Sequence, residues 1–141
     1  AAMNIRPAQN GDIAYLTKKD VHIRPSELQN LIVLKRILLL EEERAPAGWL
    51  RYSLFWDNTP FMNLLYVEEP FRGRGLGKAL VQFWENQMAA EGFTKVMTST
   101  QANETAQYFY RHLDYKTIGG FLPPGEEYEL FFYKNLDGEY L

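Results

Sequence analysis

The 141-residue sequence contains no cysteine, which excludes disulfide staples, thiolate nucleophiles and cysteine-ligated metal together. Its two histidines, His22 and His112, stand far apart without carboxylates at ligand spacing, so no metal is expected. No apolar run approaches the roughly 20 residues that a bilayer crossing needs, and no charged-then-apolar leader precedes a small-residue cleavage site. A cytoplasmic protein with no membrane partner is the expectation. Long basic stretches are also missing, and a net charge of −3 argues against nucleic acid as the main partner. Without repeats or low-complexity linkers, the length suits one domain with one core over residues 3–141. Ala1 and Ala2, ahead of Met3, read as a remnant of expression.

What the chain does have is glycine in one particular place. The run Val67-Glu-Glu-Pro-Phe-Arg-Gly-Arg-Gly-Leu-Gly-Lys78 joins an apolar strand to an amphipathic helix through three alternating glycines. Such a turn presents unpaired backbone N–H groups and the positive end of a helix dipole, which together seat a phosphate. Three designs use this chemistry. A Walker loop needs a glycine at the position of Arg72 and a hydroxyl at that of Ala79, so it fails twice. A dinucleotide fingerprint needs G-x-G-x-x-G and an acid at the tip of the next strand. Here Gly73, Gly75 and Gly77 run G-x-G-x-G, and the next strand ends Thr98-Ser99-Thr100.

The third design is R/Q-x-x-G-x-G/A, matched by Arg72, Gly75 and Gly77. It resembles the coenzyme A pyrophosphate loop of the GCN5-related N-acetyltransferases (GNAT). A second segment is similar to that family's next block, in which a strand leads to a helix carrying Asn, Ala and Phe-Tyr. Asn103, Ala106, Phe109 and Tyr110 fall on those places. Asp114-Tyr115 replaces the family's usual Gly-Phe, at a helix end where Asp tolerates the left-handed conformation that glycine supplies. On a continuous helix, Asn103 and Tyr110 sit two turns apart on nearly one face, about 10 Å along the axis. Ala102, Ala106, Phe109 and Leu113 then form an adjoining core-facing stripe, with Asn103 and Tyr110 at its border.

Periodicity and turn signals give an α/β order. Met3 to Pro7 reads as a strand, Asn10-Gly-Asp12 opens a helix to about Lys19, and Pro25-Ser26 opens another with Leu28, Leu31 and Ile32 inside. Strands are expected at Ile37–Glu41, Gly48–Trp56, Phe61–Val67, Thr94–Thr100, Tyr115–Phe121 and Glu127–Lys134, with turns at Glu43–Pro46 and Asp57–Pro60. Leu76, Leu80, Phe83, Trp84 and Met88 recur at helical spacing and stop at Gly92. This layout matches a GNAT-like fold from end to end. The resemblance implies a central, mixed, mostly antiparallel twisted sheet of about seven strands, splayed between the fourth and fifth, with about four helices.

The resemblance further implies acetyl-CoA as cosubstrate, without metal. The pantetheine arm enters the splay and pairs with the main chain of Tyr66 and Val67, where a bulge leaves backbone groups unpaired. Arg72, Gly73, Arg74, Gly75, Leu76, Gly77 and Lys78 wrap the pyrophosphate, and Asn103, Ala106 and Phe109 line the cofactor. The attacking amine must be neutral, so a base is needed, for which Glu68 and Glu69 are candidates beside a water chain at Asn63 or main-chain carbonyls. Tyr110 is the candidate acid for the departing thiolate. Tyr52, Trp56, Phe61 and Asn63 are candidates for the acceptor cleft, the aromatic ones serving equally as core. The expected activity is acetyl transfer to a primary amine of a small molecule or peptide, by direct attack in a ternary complex. The alternative is a non-catalytic acyl-CoA-binding or regulatory module. Exposed C-terminal edge strands suit a homodimer.

Overall fold

The computed structural model describes residues 3–138. Seven strands, β1 (Met3–Pro7), β2 (Ile37–Glu42), β3 (Ala45–Phe55), β4 (Thr59–Val67), β5 (Lys95–Gln101), β6 (Lys116–Phe121) and β7 (Glu129–Asn135), hydrogen-bond in the order β1-β2-β3-β4-β5-β7-β6. The helices are α1 (Ile13–Lys19), α2 (Pro25–Val33), α3 (Leu76–Ala90) and α4 (Ala106–His112), with 3₁₀ turns at Asn10–Asp12 and Glu69–Phe71. The registers of β1–β2, β2–β3, β5–β7 and β6–β7 are antiparallel. That of β4–β5 is parallel and covers two residue pairs, Phe61↔Met97 and Met62↔Thr98. The expected mixed α/β architecture is therefore observed, element for element.

The strand boundaries differ from expectation at two hairpins, for one physical reason. Glu43 and Arg44 both adopt left-handed backbone (φ 50° and 67°), as do Trp56 and Asp57 (φ 53° and 63°). Consecutive left-handed residues make tight hairpin loops whose twist suits the flanking strands, and they are usually signalled by Asn or Gly. Charged and aromatic residues hold these positions here. Hence β3 begins at Ala45 instead of Gly48 and ends before Trp56, and β4 begins at Thr59 instead of Phe61. At the C-terminal pair, β7 starts at Glu129, two residues after the expected Glu127.

The described residues pack as two compact units. The first comprises residues 3–53 and 64–84. Its core joins Leu16 of α1 and Leu28, Leu31 and Ile32 of α2 to Ile37, Leu39 and Trp49 of the sheet, with Leu64 and Tyr66 packed on them. Burial of such side chains contributes about 1.5–3 kcal/mol each. Pro25 occupies the first turn of α2, where its missing N–H leaves no helix bond unmade. Within this core lies an ion pair. Asp20 accepts hydrogen bonds from Arg51 Nε at 2.7 Å and from Trp49 Nε1 at 3.2 Å.

The second unit comprises residues 54–63 and 85–138. Met88, Val96, Tyr110, Tyr115 and Phe132 are buried, and Glu85 accepts from the Tyr115 hydroxyl at 2.7 Å and Lys134 Nζ at 2.9 Å. Two helical expectations need correction. Phe83 is 41 % exposed, and Val81 is buried instead beside Leu76, Leu80, Trp84 and Met88, so the inner stripe of α3 widens on the Val81 flank and leaves Phe83 outside. α4 starts only at Ala106, because residues 102–105 form turns, and Asn103 is not part of the helix. Asp114 ends that element with φ 70°, as the substitution for glycine anticipates.

Candidate functional site

The glycine loop lies wholly in the first unit. After the 3₁₀ turn, Arg72 is extended, and Gly73 and Gly75 both take φ 76°. Side chains strain in that region, whereas glycine enters it freely. A Cβ built on either glycine meets nothing within 4 Å, so open space lies above both. The α3 ladder begins with Ala79 N–H on the Gly75 carbonyl, 3.0 Å away. The N–H groups of Leu76, Gly77 and Lys78 therefore stand outside it, at the positive end of the helix dipole. Leu76 is buried and anchors the turn, while Lys78 is exposed.

Both arginines of the loop have protein partners. Arg72 Nε donates to the Val67 carbonyl at 2.8 Å, and its guanidinium lies 5.3 Å from the centre of the Tyr66 ring. Arg74 forms a bidentate pair with Glu42, one of its bonds being 2.9 Å, and stands near the Phe71 ring. These contacts brace the loop against the ends of β4 and β2. The loop therefore offers mainly backbone donors, with charge held beside it.

The end of β4 supplies the next groups. The β2–β3 register steps from Leu40↔Gly48 to Glu41↔Pro46, leaving Ala47 as an extra residue, a β-bulge. The Ala47 carbonyl accepts the Glu68 N–H at 2.8 Å. Successive strand residues direct their N–H groups to opposite edges, so the Val67 N–H faces away from β3. Side chains alternate likewise, which puts Tyr66 and Glu68 on the face covered by α1 and α2.

On that face Glu68 is tightly held. Its carboxylate accepts a hydrogen bond from the Tyr15 hydroxyl at 3.1 Å and pairs with Lys19 Nζ at 3.1 Å. The Tyr15 ring meets Trp49 edge-on at 5.8 Å, and Trp49 meets Tyr66 at 4.9 Å. Burial, and then the Glu68 charge, push the Tyr15 phenol far above its usual range. Glu69 is exposed and opens the 3₁₀ turn. Tyr15 and Lys19 were missed by motif reading. Their spacing of four on α1 is the one sequence signal that they share a face.

The remaining candidates disperse. Tyr52 is 4 % exposed, with its ring 5.7 Å from Trp84, which makes it a core residue. In the second unit, Phe61 stacks on Phe55 at 5.8 Å and is buried. Trp56, 81 % exposed, lines a concavity of about 690 Å³ with Phe55, Met97 and Phe131. Asn63 and Asn103 are exposed, and Ala106 and Phe109 half-buried. Tyr110 does not border the core but lies in it, 6 % exposed, with its ring against Tyr115 and Phe132. Burial is the main force pushing its phenol up to about 12, opposed by the Thr98 hydroxyl beside it and augmented by the Glu104 charge. Thr98 in turn donates to the Met62 carbonyl at 2.9 Å. Among the described residues no cluster of His, Asp and Glu is placed to hold a metal ion, and no helix is long and apolar enough to cross a membrane.

Residues 12–115 match the family profile described as Acetyltransferase (GNAT) family. No curated protein matches by sequence. Solved structures share the fold. Ard1 from Thermoplasma volcanium superposes with a TM-score of 0.83 at 14 % identity, over 96 % of this chain and 98 % of that one. For yncA from Salmonella typhimurium, solved with its cofactor acetyl-CoA, the TM-score is 0.79 at 17 % identity, covering 100 % of this chain and 98 % of that one. For the PaiA N-acetyltransferase of Thermoplasma acidophilum, in complex with coenzyme A, it is 0.74 at 13 %, over 93 % and 98 %.

Proposed function

Since the chain belongs to the acetyltransferase (GNAT) family, we propose that it moves the acetyl group of acetyl-CoA onto the primary amine of a small molecule or peptide, by direct attack within a ternary complex. The observation that carries this reading is the helix start beyond Gly73 and Gly75. Three N–H groups stand outside the α3 ladder, at the end of a turn with free space beside the Cα of Gly73 and of Gly75, which suits the two negative charges of a diphosphate. Leu76, Gly77 and Lys78 would hold it through the main chain, with Arg72, Gly73, Arg74 and Gly75 shaping the turn. The same fold is seen in yncA with acetyl-CoA and in PaiA with coenzyme A.

Val67 would meet the pantetheine arm through the open edge of β4, where its N–H would stabilise the oxyanion that forms at the thioester carbonyl, while the Tyr66 main chain, turned toward β3 beside Gly48, would hold that edge in place instead of pairing with the arm. Asn103, Ala106 and Phe109 would line the rest of the coenzyme. Acetyl-CoA supplies the activated acyl group, and the chain supplies proton transfers. Glu68 is the better placed of the two acids to take a proton from the attacking amine, because its carboxylate already contacts an ammonium. Glu69 lies next to it on the exposed turn. Tyr110 would protonate the departing thiolate. Its phenol, pushed up to about 12, stays protonated throughout the neutral range, as an acid must.

The test is release of free thiol from acetyl-CoA in the presence of polyamines, amino acids, aminoglycosides and peptides. Turnover with at least one primary amine is expected. Coenzyme A binding without turnover by any of them would replace this reading with that of a binding module.

A further inference from the structure

Lys19 is the residue whose position motif reading does not account for. It stands in the last turn of α1, exposed, with its Nζ 3.1 Å from Glu68 Oε2 and 3.4 Å from Oε1. Tyr15, one turn earlier, fixes the same carboxylate with its hydroxyl. The protein thus presents a primary amine of its own to the carboxylate that follows Val67 in the chain. A lysine carries its amine on a flexible four-carbon stem, so the nitrogen reaches several ångströms in any direction once the ion pair opens.

We propose that Lys19 is an intramolecular acceptor: the protein acetylates its own Lys19 when acetyl-CoA is bound and no other amine is present. This inference rests on the acetyltransferase reading given above. The step balances without a further reagent. The Lys19 ammonium gives a proton to the Glu68 carboxylate, and the neutral nitrogen forms a C–N bond with the acetyl carbonyl carbon. The C–S bond breaks, the nitrogen sheds its second proton, coenzyme A leaves as a thiolate that takes that proton up, and Glu68 releases the first one to water. The products are acetyl-lysine and free thiol. An acetylated Lys19 has no charge left to pair with Glu68, so one turnover frees that carboxylate for the ammonium of an incoming acceptor. Holding two reactants together replaces a bimolecular encounter, which is why this lysine is distinguished from the others on the surface.

The full chain, incubated with acetyl-CoA alone, tests this by intact mass and peptide mapping. Expected is a gain of one acetyl group at Lys19, first-order and with a rate independent of protein concentration. The gain is absent in Lys19→Arg and slower by at least about a hundredfold in Glu68→Gln. Lys18, adjacent and exposed, stays unmodified over the same interval. A second readout needs no acetyl-CoA. After reductive methylation with ¹³C-formaldehyde, the Lys19 methyl resonance should move on Glu68→Gln while that of Lys18 stays. Acetyl spread over several lysines, or a rate unchanged in Glu68→Gln, overturns the proposal. So does absence of any mass gain in protein that binds coenzyme A, which leaves the acetyltransferase reading standing. A protein that fails to bind coenzyme A overturns both.

Discussion

Gly48 of β3 lies so close to β4 that a Cβ built on it would stand 2.5 Å from the Tyr66 carbonyl oxygen and 3.2 Å from the Val67 Cα. Both are backbone atoms, which cannot swing aside as a flexible side chain can. The approach follows from the neighbouring bulge at Ala47, and it sets where the end of β4 stands. Because that end carries the main-chain groups proposed to meet pantetheine, Gly48 would act on binding without touching the ligand.

Gly48→Ala therefore displaces Tyr66 and Val67. A loss of stability of about 1–3 kcal/mol is expected from overpacking, together with a weaker affinity for coenzyme A. Denaturant unfolding and calorimetry on the same preparation check both, and unchanged affinity would detach the β4 edge from the cofactor.

Gly75 separates backbone strain from occupation of the seat. Asn tolerates the left-handed conformation that Gly75 adopts at φ 76°. Gly75→Asn should therefore unfold within about 1 kcal/mol of the parent, yet lose coenzyme A binding, because its side chain enters the open space above the loop. Full affinity in Gly75→Asn would argue against that space as the phosphate position.

Tyr110→Phe keeps the ring packed against Phe132 and removes the proton. Coenzyme A should bind as in the parent, while thiol release falls by about 10²-fold or more. Burial pushes the phenol up to about 12, so in the parent no alkaline limb from it is expected below about pH 11. A fall in rate centred near the ordinary phenol value of about 10 would contradict the burial described.

Arg6 links Asp12 at 2.8 Å and Glu41 at 3.0 Å, and the guanidinium holds both carboxyls below the usual carboxylate range. A carboxylate with a lowered folded-state value stabilises above its unfolded value and loses that contribution as pH falls through the folded one. The parent should lose stability below about pH 4 more steeply than Arg6→Ala. Parallel stability curves for the two would rule out this linkage.

Arg51→Ala leaves Asp20 charged and fully buried with only Trp49 as a side-chain donor. Stripping one partner from a buried pair costs about 3–5 kcal/mol, which thermal unfolding will register. Arg51→Met combined with Asp20→Asn should cost much less.

The strand-to-helix loop was readable because glycine at Gly73 and Gly75 reports a backbone conformation directly, and the long helix because its apolar positions recur through four turns. The hairpin boundaries were not, since Glu43, Arg44, Trp56 and Asp57 enter left-handed backbone without the residues that announce it. Spacing alone puts Asn103 and Tyr110 on one helix, but residues 102–105 turn before α4 begins. Burial of Tyr52 and Tyr110 depends on contacts with Trp84 and Phe132 that lie far away in sequence. The grouping of Tyr15 and Lys19 around Glu68 spans about fifty residues and has no motif.

An amide-resolved NMR titration of the full chain with coenzyme A addresses the central assignment directly. Saturable shifts should be largest at the N–H groups of Leu76, Gly77 and Lys78. Saturation with those three amides unmoved, or no shift anywhere at millimolar coenzyme A, would contradict a diphosphate seat at the start of α3.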